Sequence, residues 1–260
     1  MFFQVLSLIC IVFFISVIFY KQRRDTIEIL QSEYTSQESL KELVSERQPI
    51  IIRNTPIPQS LTVAQLSKMQ RLYEFPLRDA LPLRQYLQSP ETIADTGTPL
   101  TTLTAATDLS KDLSLPLWAS HTIQDTIQEM VGFFGMFYSR SVHCMFGGVG
   151  MQRTTGVMTF ILPVEGAYTI SLVNPKSESF LPANWKYRYP HTLTINDSPL
   201  VGELKYIDII LRPGTMLCLP THAVYSIQPD SSSFHSCLYM ELNSPVSTLA
   251  KFLEGLNDPT

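Results

Sequence analysis

Residues 2–20, FFQVLSLICIVFFISVIFY, form an apolar run with no charge and only Gln4, Ser7 and Ser16 as polar interruptions. No other feature limits the chain so strictly, because a helix that is apolar on every side has to lie in lipid or deep inside protein. At about 1.5 Å per residue the run spans roughly 28 Å, close to the roughly 30 Å hydrocarbon core of a bilayer. A cleaved leader calls for a basic start, a shorter apolar stretch and a small-residue cleavage site. Here nothing basic precedes the run except the amino terminus, and no Ala-x-Ala follows it. The run ends in Phe19-Tyr20 and then Lys21-Gln22-Arg23-Arg24. This pattern predicts an uncleaved single-pass anchor over residues 2–20. The basic cluster keeps the C-terminal part on the cytosolic side.

Beyond residue 24 the chain carries 16 basic against 23 acidic side chains, a formal charge of −7. A nucleic-acid binder would show a basic face, so none is expected as a partner. Outside the anchor the cysteines are Cys144, Cys218 and Cys237, an odd set without Cys-x-x-Cys spacing. That suits reduced thiols in a cytosolic domain. Three parts follow: an anchor with its basic stop (1–24), a connector (25–34) and a folded domain (35–260).

The front of the domain reads as helical. Thr35-Ser36-Gln37-Glu38 has the capping-box pattern, with Leu40, Leu43 and Val44 on one face and Pro49 as the stop. Ile50-Ile51-Ile52 reads as a buried strand. Short helices are expected over 60–73, 82–88 and 123–131, with irregular chain over 89–117. From residue 140 the pattern changes to short strands at 141–146, 157–163, 167–173, 191–195, 206–211, 215–219, 223–228 and 235–242. Gly147-Gly148, Glu165-Gly166, Asn196-Asp197, Pro213-Gly214 and Pro229-Asp230 separate them. A last helix is expected over 245–256. Eight short strands behind a helical front predict a mainly β, α+β domain of jelly-roll type.

Three segments carry a family resemblance. Ser45–Asn54, Val164–Pro175 and Leu211–Pro220 resemble, in order and spacing, the entry strand, the central hairpin and the Pro-Gly turn of JmjC-related cupin-like proteins. The resemblance covers about residues 35–245 and implies a double-stranded β-helix. Enzymes of that family are Fe(II)- and 2-oxoglutarate-dependent oxygenases that hold iron by a His-x-Asp/Glu pair and a distal His. By the family's spacing the pair falls on Arg153 and Thr155, the distal ligand on Tyr225 and the co-substrate lysine on Tyr168. None of the four is the expected residue. A guanidinium has no lone pair to offer a metal, and Thr and a lone phenol are poor ligands for Fe(II).

The chain is therefore expected to be a degenerate member that needs no cofactor and leans away from enzymatic activity. It would serve as a membrane-anchored binding, scaffold or structural protein with a protein partner. Such anchoring suits an organelle membrane or the inner layers of a large-virus particle. Two alternatives stay open. One is an Fe(II)/2-oxoglutarate-type oxygenase or other metalloenzyme with an unconventional site that uses His222, which strand alternation sets on the face opposite Tyr225. The other is a small-carboxylate sensor in which Arg153, Tyr168 and Tyr225 face one cavity, with Glu165 or another internal acid as Arg153's other partner. His143 and His235 lack a second ligand at i+2 or i+4, and His121 and His191 read as loop residues.

Overall fold

The computed structural model describes residues 2–21, 25–34, 37–78, 81–93, 95–131, 138–231 and 233–248. The apolar run is one helix, α1 (Phe2–Lys21). The side chains of residues 3–14 are described within it, and Phe3, Leu8, Phe13 and Phe14 are exposed. Among the described residues no helix is long and apolar enough to cross a membrane.

Eight strands build the body: β3 (Ser139–Phe146), β4 (Val149–Arg153), β5 (Met158–Glu165), β6 (Tyr168–Val173), β7 (Tyr206–Leu211), β8 (Met216–Pro220), β9 (Val224–Pro229) and β10 (Ser236–Asn243). They divide between two antiparallel sheets. β3, β10, β5 and β8 lie side by side in the larger sheet, and β4, β9, β6 and β7 in the smaller. That order is the two-sheet jelly roll, the double-stranded β-helix. Two earlier strands, β1 (Leu30–Glu33) and β2 (Ile50–Arg53), extend the larger sheet beyond β8, with β1 parallel to β2 and β2 antiparallel to β8.

The strand patterns follow from what covers each face. β5 sits between β10 and β8 and is buried from Met158 to Val164. Its outer face (Phe160, Leu162, Val164) packs with Ile50, Ile52 and the front helices, and Ile161 points between the sheets. Pro163 has no N–H to give the ladder and lies where the β5–β10 register shifts. A third, smaller cluster covers the back of the small sheet, where Met151, Val173 and Val224 meet Leu193. Leu193 belongs to the long connection 174–205, so the layers run helices, large sheet, small sheet, connection.

The front differs from expectation in places. The capping-box residues Thr35 and Ser36 lie outside the described residues, but α2 (Gln37–Ser45) follows them and stops before Pro49. The span 60–73 breaks into 3₁₀ turns around α3 (Val63–Leu66) instead of one helix. The expected helix at 82–88 is α4 (Leu83–Gln88). The stretch read as irregular contains α5 (Leu103–Asp112) and the start of α6 (Leu115–Thr122). Thr102 caps α5 by accepting from the Ala105 N–H, and the Ser110 hydroxyl donates to Ala106 O and accepts from the Cys144 N–H of β3. The polar residues that suggested loop are caps and sheet contacts. His121 accordingly lies in α6, and α7 (Gln124–Val131) follows. No strand forms at 191–195; the chain there begins as a 3₁₀ turn. The strand missed is β4. Of the last helix only residues 245–248 are described.

The far end of the barrel is closed around His235, which is fully buried. Its Nε2 is 2.9 Å from Asp230 Oδ1 and its Nδ1 2.7 Å from Ser233 O. Both ring nitrogens thus face oxygen atoms, one on each side of the imidazole. The ring stands edge-on to Tyr168 at 5.3 Å and lies over Gly166. Gly166 has φ +73°, and a Cβ there would meet His235 Cδ2 at 2.3 Å. Gly166→Ala should lower stability by about 3 kcal/mol through backbone strain and this collision. Gly202→Ala, where a Cβ meets nothing within 4 Å, should change it little; denaturant unfolding of both variants checks the contrast.

The hydrogen bond from His235 holds the Asp230 carboxyl below its ordinary range. A carboxyl lowered by folding stabilises above its unfolded pKa of about 3.9, and that contribution disappears as pH falls through the folded value. Acid unfolding of Asp230→Asn, compared with the parent chain, should therefore lack part of the stability loss below about pH 4.

Candidate functional site

The expected site lies at the opposite end, where β4 ends, β5 begins and β9 starts. β4 carries the decisive irregularity. Val149 pairs with Ile227 and Gln152 with Tyr225, so three steps along β4 match two along β9. The extra residue is a β-bulge, and it inverts the facing of everything after it. Val149 and Gln152 are consequently set toward the space between the sheets, while Met151 and Arg153 take the outer face.

The expectation that Arg153 shares a cavity with Tyr168 and Tyr225 is thereby corrected. Arg153 pairs in register with Val224 on the outer face and makes an ion pair with Glu178 at 3.0 Å. Its acid is Glu178 of the 174–205 connection. Glu165 instead accepts from the Val63 N–H at the start of α3. Thr155 is half-buried in the β4–β5 connection. Its neighbour Thr154 is fully buried, donates to Pro220 O and accepts from the Ala223 N–H, which fastens the turn before β9. Tyr168 starts β6 opposite Pro229, whereas Tyr225 lies opposite Leu172, four residues along the same strand. The two phenols are set roughly 13 Å apart along the barrel. His222 is neither near Tyr168 nor on Tyr225's face; it sits in the turn before β9 with φ +64°, its N–H on Thr154 O.

Of the four, Tyr168 and Tyr225 point between the sheets, at different levels, and Tyr225 belongs to a polar chain not evident beforehand. Gln152 Nε2 donates to the Tyr225 hydroxyl at 2.6 Å. Tyr225 donates to the Tyr239 hydroxyl at 2.9 Å, and Tyr239 donates to Glu241 Oε1 at 3.1 Å. The His143 ring stacks against Tyr239, and its Nδ1 shares a hydrogen bond with Thr107 Oγ1 at 3.1 Å. Alternation in β10 gave a signal for Tyr239 and Glu241, which share the face of Cys237. Gln152 had none, because the bulge reverses its facing.

Burial pushes the phenols of Tyr225 and Tyr239 well above their usual range, so both stay neutral donors. The iron and co-substrate implied by the resemblance do not fit this donor set. Arg153 is turned away and paired, Thr155 is in a connection, and Tyr225 is a neutral phenol with its hydrogen bonds already directed. Among the described residues no three His, Cys, Asp or Glu side chains come close enough to hold a metal.

Removing the central hydroxyl leaves Gln152 and Tyr239 without the partner they share. Tyr225→Phe should destabilise the domain by about 1–2 kcal/mol. A double-mutant cycle with Tyr239→Phe should give a coupling of at least about 0.5 kcal/mol if the two hydroxyls act as one unit.

No family model and no curated protein matches the chain. Among solved structures it is similar to a cupin superfamily protein of Desulfitobacterium hafniense, at 14% identity and a TM-score of 0.26 over 40% of this chain and 68% of that one. It is also similar to the Drosophila melanogaster CENP-C cupin domain, at 14% identity and a TM-score of 0.25 over 39% of this chain and 59% of that one. A structure of Drosophila melanogaster CENP-C bound to CAL1 matches at 14% identity and a TM-score of 0.25, over 39% and 64%. At such scores the strand order is what assigns the fold: a mainly β, cupin-like jelly roll with helices packed on its larger sheet.

Proposed function

We infer that the chain is a metal-free, membrane-anchored scaffold of JmjC-like descent that binds a protein partner and catalyses nothing. The carrying observation is the Gln152–Tyr225–Tyr239–Glu241 chain, in which the Tyr225 hydroxyl, at an expected ligand position, already accepts one directed hydrogen bond and donates another. A satisfied polar network of this kind rigidifies a core and needs no ion. Partner binding is favoured by the smaller sheet's free edge, β7, where Ile210 is exposed, and by exposed Ile195 and Leu200 in the preceding connection. Anchoring is favoured by the apolar run 2–20 and the basic residues that end it.

Equilibrating the full chain with Fe(II) or Zn(II), followed by metal analysis after desalting, should leave no stoichiometric metal. One tightly bound ion per chain would overturn the metal-free reading. Orientation has its own test. Asn196-Asp197-Ser198 is a glycosylation acceptor pattern on an exposed turn. In a eukaryotic membrane system, an acceptor site added ahead of Phe2 should be glycosylated and Asn196 should not. A glycan on Asn196 would reverse the assignment, and release of the chain by alkaline carbonate would remove the anchor.

A further inference from the structure

A cavity of about 280 Å³ opens beside the barrel rim, between the connector residues Thr26 and Ile27, the end of α2 and the turn that joins β8 to β9. Its size is near the lower end of small-molecule sites, which run roughly 300–1,000 Å³. Most of its wall is hydrocarbon, including Val44, Ile50, Val157, Met158 and Leu172. Gln48 fixes the connector as one wall, its Oε1 accepting from the Glu28 N–H and its Nε2 donating to Thr26 O, each at 3.0 Å.

The charge of the wall runs against that of the chain. The protein carries 23 acidic and 19 basic side chains, yet among the described residues the ionisable wall groups include Arg47 and His222 and no Asp or Glu. Arg47 stays protonated at any physiological pH. Both residues also hold a left-handed backbone, at φ 54° and 64°. Such a conformation is uncommon outside glycine and collects where a ligand is gripped. Two of the five such residues among those described line this one cavity.

We propose that this cavity binds an anionic amphiphile, a single carboxylate or phosphate carried on a short hydrocarbon, with Arg47 and His222 facing the head and the aliphatic wall taking the tail. The ligand is drawn either from a bilayer leaflet or from a soluble acid. The inference stands whether or not residues 2–20 span a membrane.

The test is thermal unfolding of the full chain in a neutral maltoside detergent. Decanoate or octyl phosphate at about a hundredfold excess over its Kd should raise Tm by roughly 5–10 °C. Decanol and decyltrimethylammonium, with the same tail and no negative head, should not. Arg47→Asn removes the cation while suiting a left-handed backbone, and should abolish most of the shift; His222→Asn should reduce it and serves if the first variant unfolds. Equal shifts from all four amphiphiles, no shift from either acid, or an undiminished shift in Arg47→Asn would overturn the proposal. Mass analysis of an organic extract of chain isolated from cells separates the sources. A co-purifying anionic lipid identifies the bilayer, and its absence with a retained decanoate shift identifies a soluble acid.

Discussion

The larger sheet has to be covered on both faces, and the rest of the molecule is arranged around that need. β5 and its neighbours present apolar side chains outward as well as inward. One side is met by the helical front, where Leu40, Leu61, Leu83, Leu109 and Leu115 are fully buried. The other is met by the smaller sheet, whose Tyr168, Ile170, Leu172, Tyr225 and Ile227 fill the space between. The smaller sheet in turn needs its own cover, which the 174–205 connection supplies through Leu193. That connection is itself held by the paired Arg188 and Asp197 and by Tyr189, whose hydroxyl donates to Asp95. Each layer thus exists because the one before it leaves hydrocarbon exposed.

Within this frame a single inserted residue decides the chemistry of the barrel. Had β4 run without its bulge from Val149, Met151 and Arg153 would face inward and Gln152 outward. A buried guanidinium would then demand an internal acid or an anionic ligand. With the bulge, Arg153 reaches Glu178 at the surface of the fold, and a neutral amide enters the interior to donate to Tyr225. The interior acquires a one-way chain of hydrogen-bond donors that ends on the Glu241 carboxylate. Binding chemistry moves to the rim, where Arg47 and His222 stand in strained backbone beside hydrocarbon.

Much of this was legible in the residues. The boundaries of β5, β6, β7, β8, β9 and β10 came within about two residues because each is a short β-branched or aromatic run closed by Gly, Pro or Asp. The Glu165-Gly166 and Pro213-Gly214 turns were readable for the same reason, with both glycines at positive φ. The misreadings have one cause in common. β4 (Val149-Gly150-Met151-Gln152-Arg153) is glycine-containing and short, and looked like turn because its partner β9 is over seventy residues away. Gly150 is needed there because a Cβ would meet the backbone of Tyr187 at 2.2 Å, a contact no local pattern announces. The Thr- and Ser-rich front hid α5 likewise, since Thr102 and Ser110 make sense only once the helix and β3 are in place.

The sequence by itself determined the apolar first helix, the order of strands and turns, the acidic balance of the remainder and the identities of Arg153, Thr155, Tyr168 and Tyr225. These depend on composition, local periodicity and residue identity, all of which are properties of neighbours along the chain. The tertiary structure decided which side chains face one another. It took Arg153 out of the barrel, joined Gln152 to Tyr239 through Tyr225, and brought Arg47 and His222 to one cavity from positions 175 residues apart in sequence. Facing is set by register and by bulges, and these are fixed only when distant strands pair, because one residue of slip reverses every side chain beyond it.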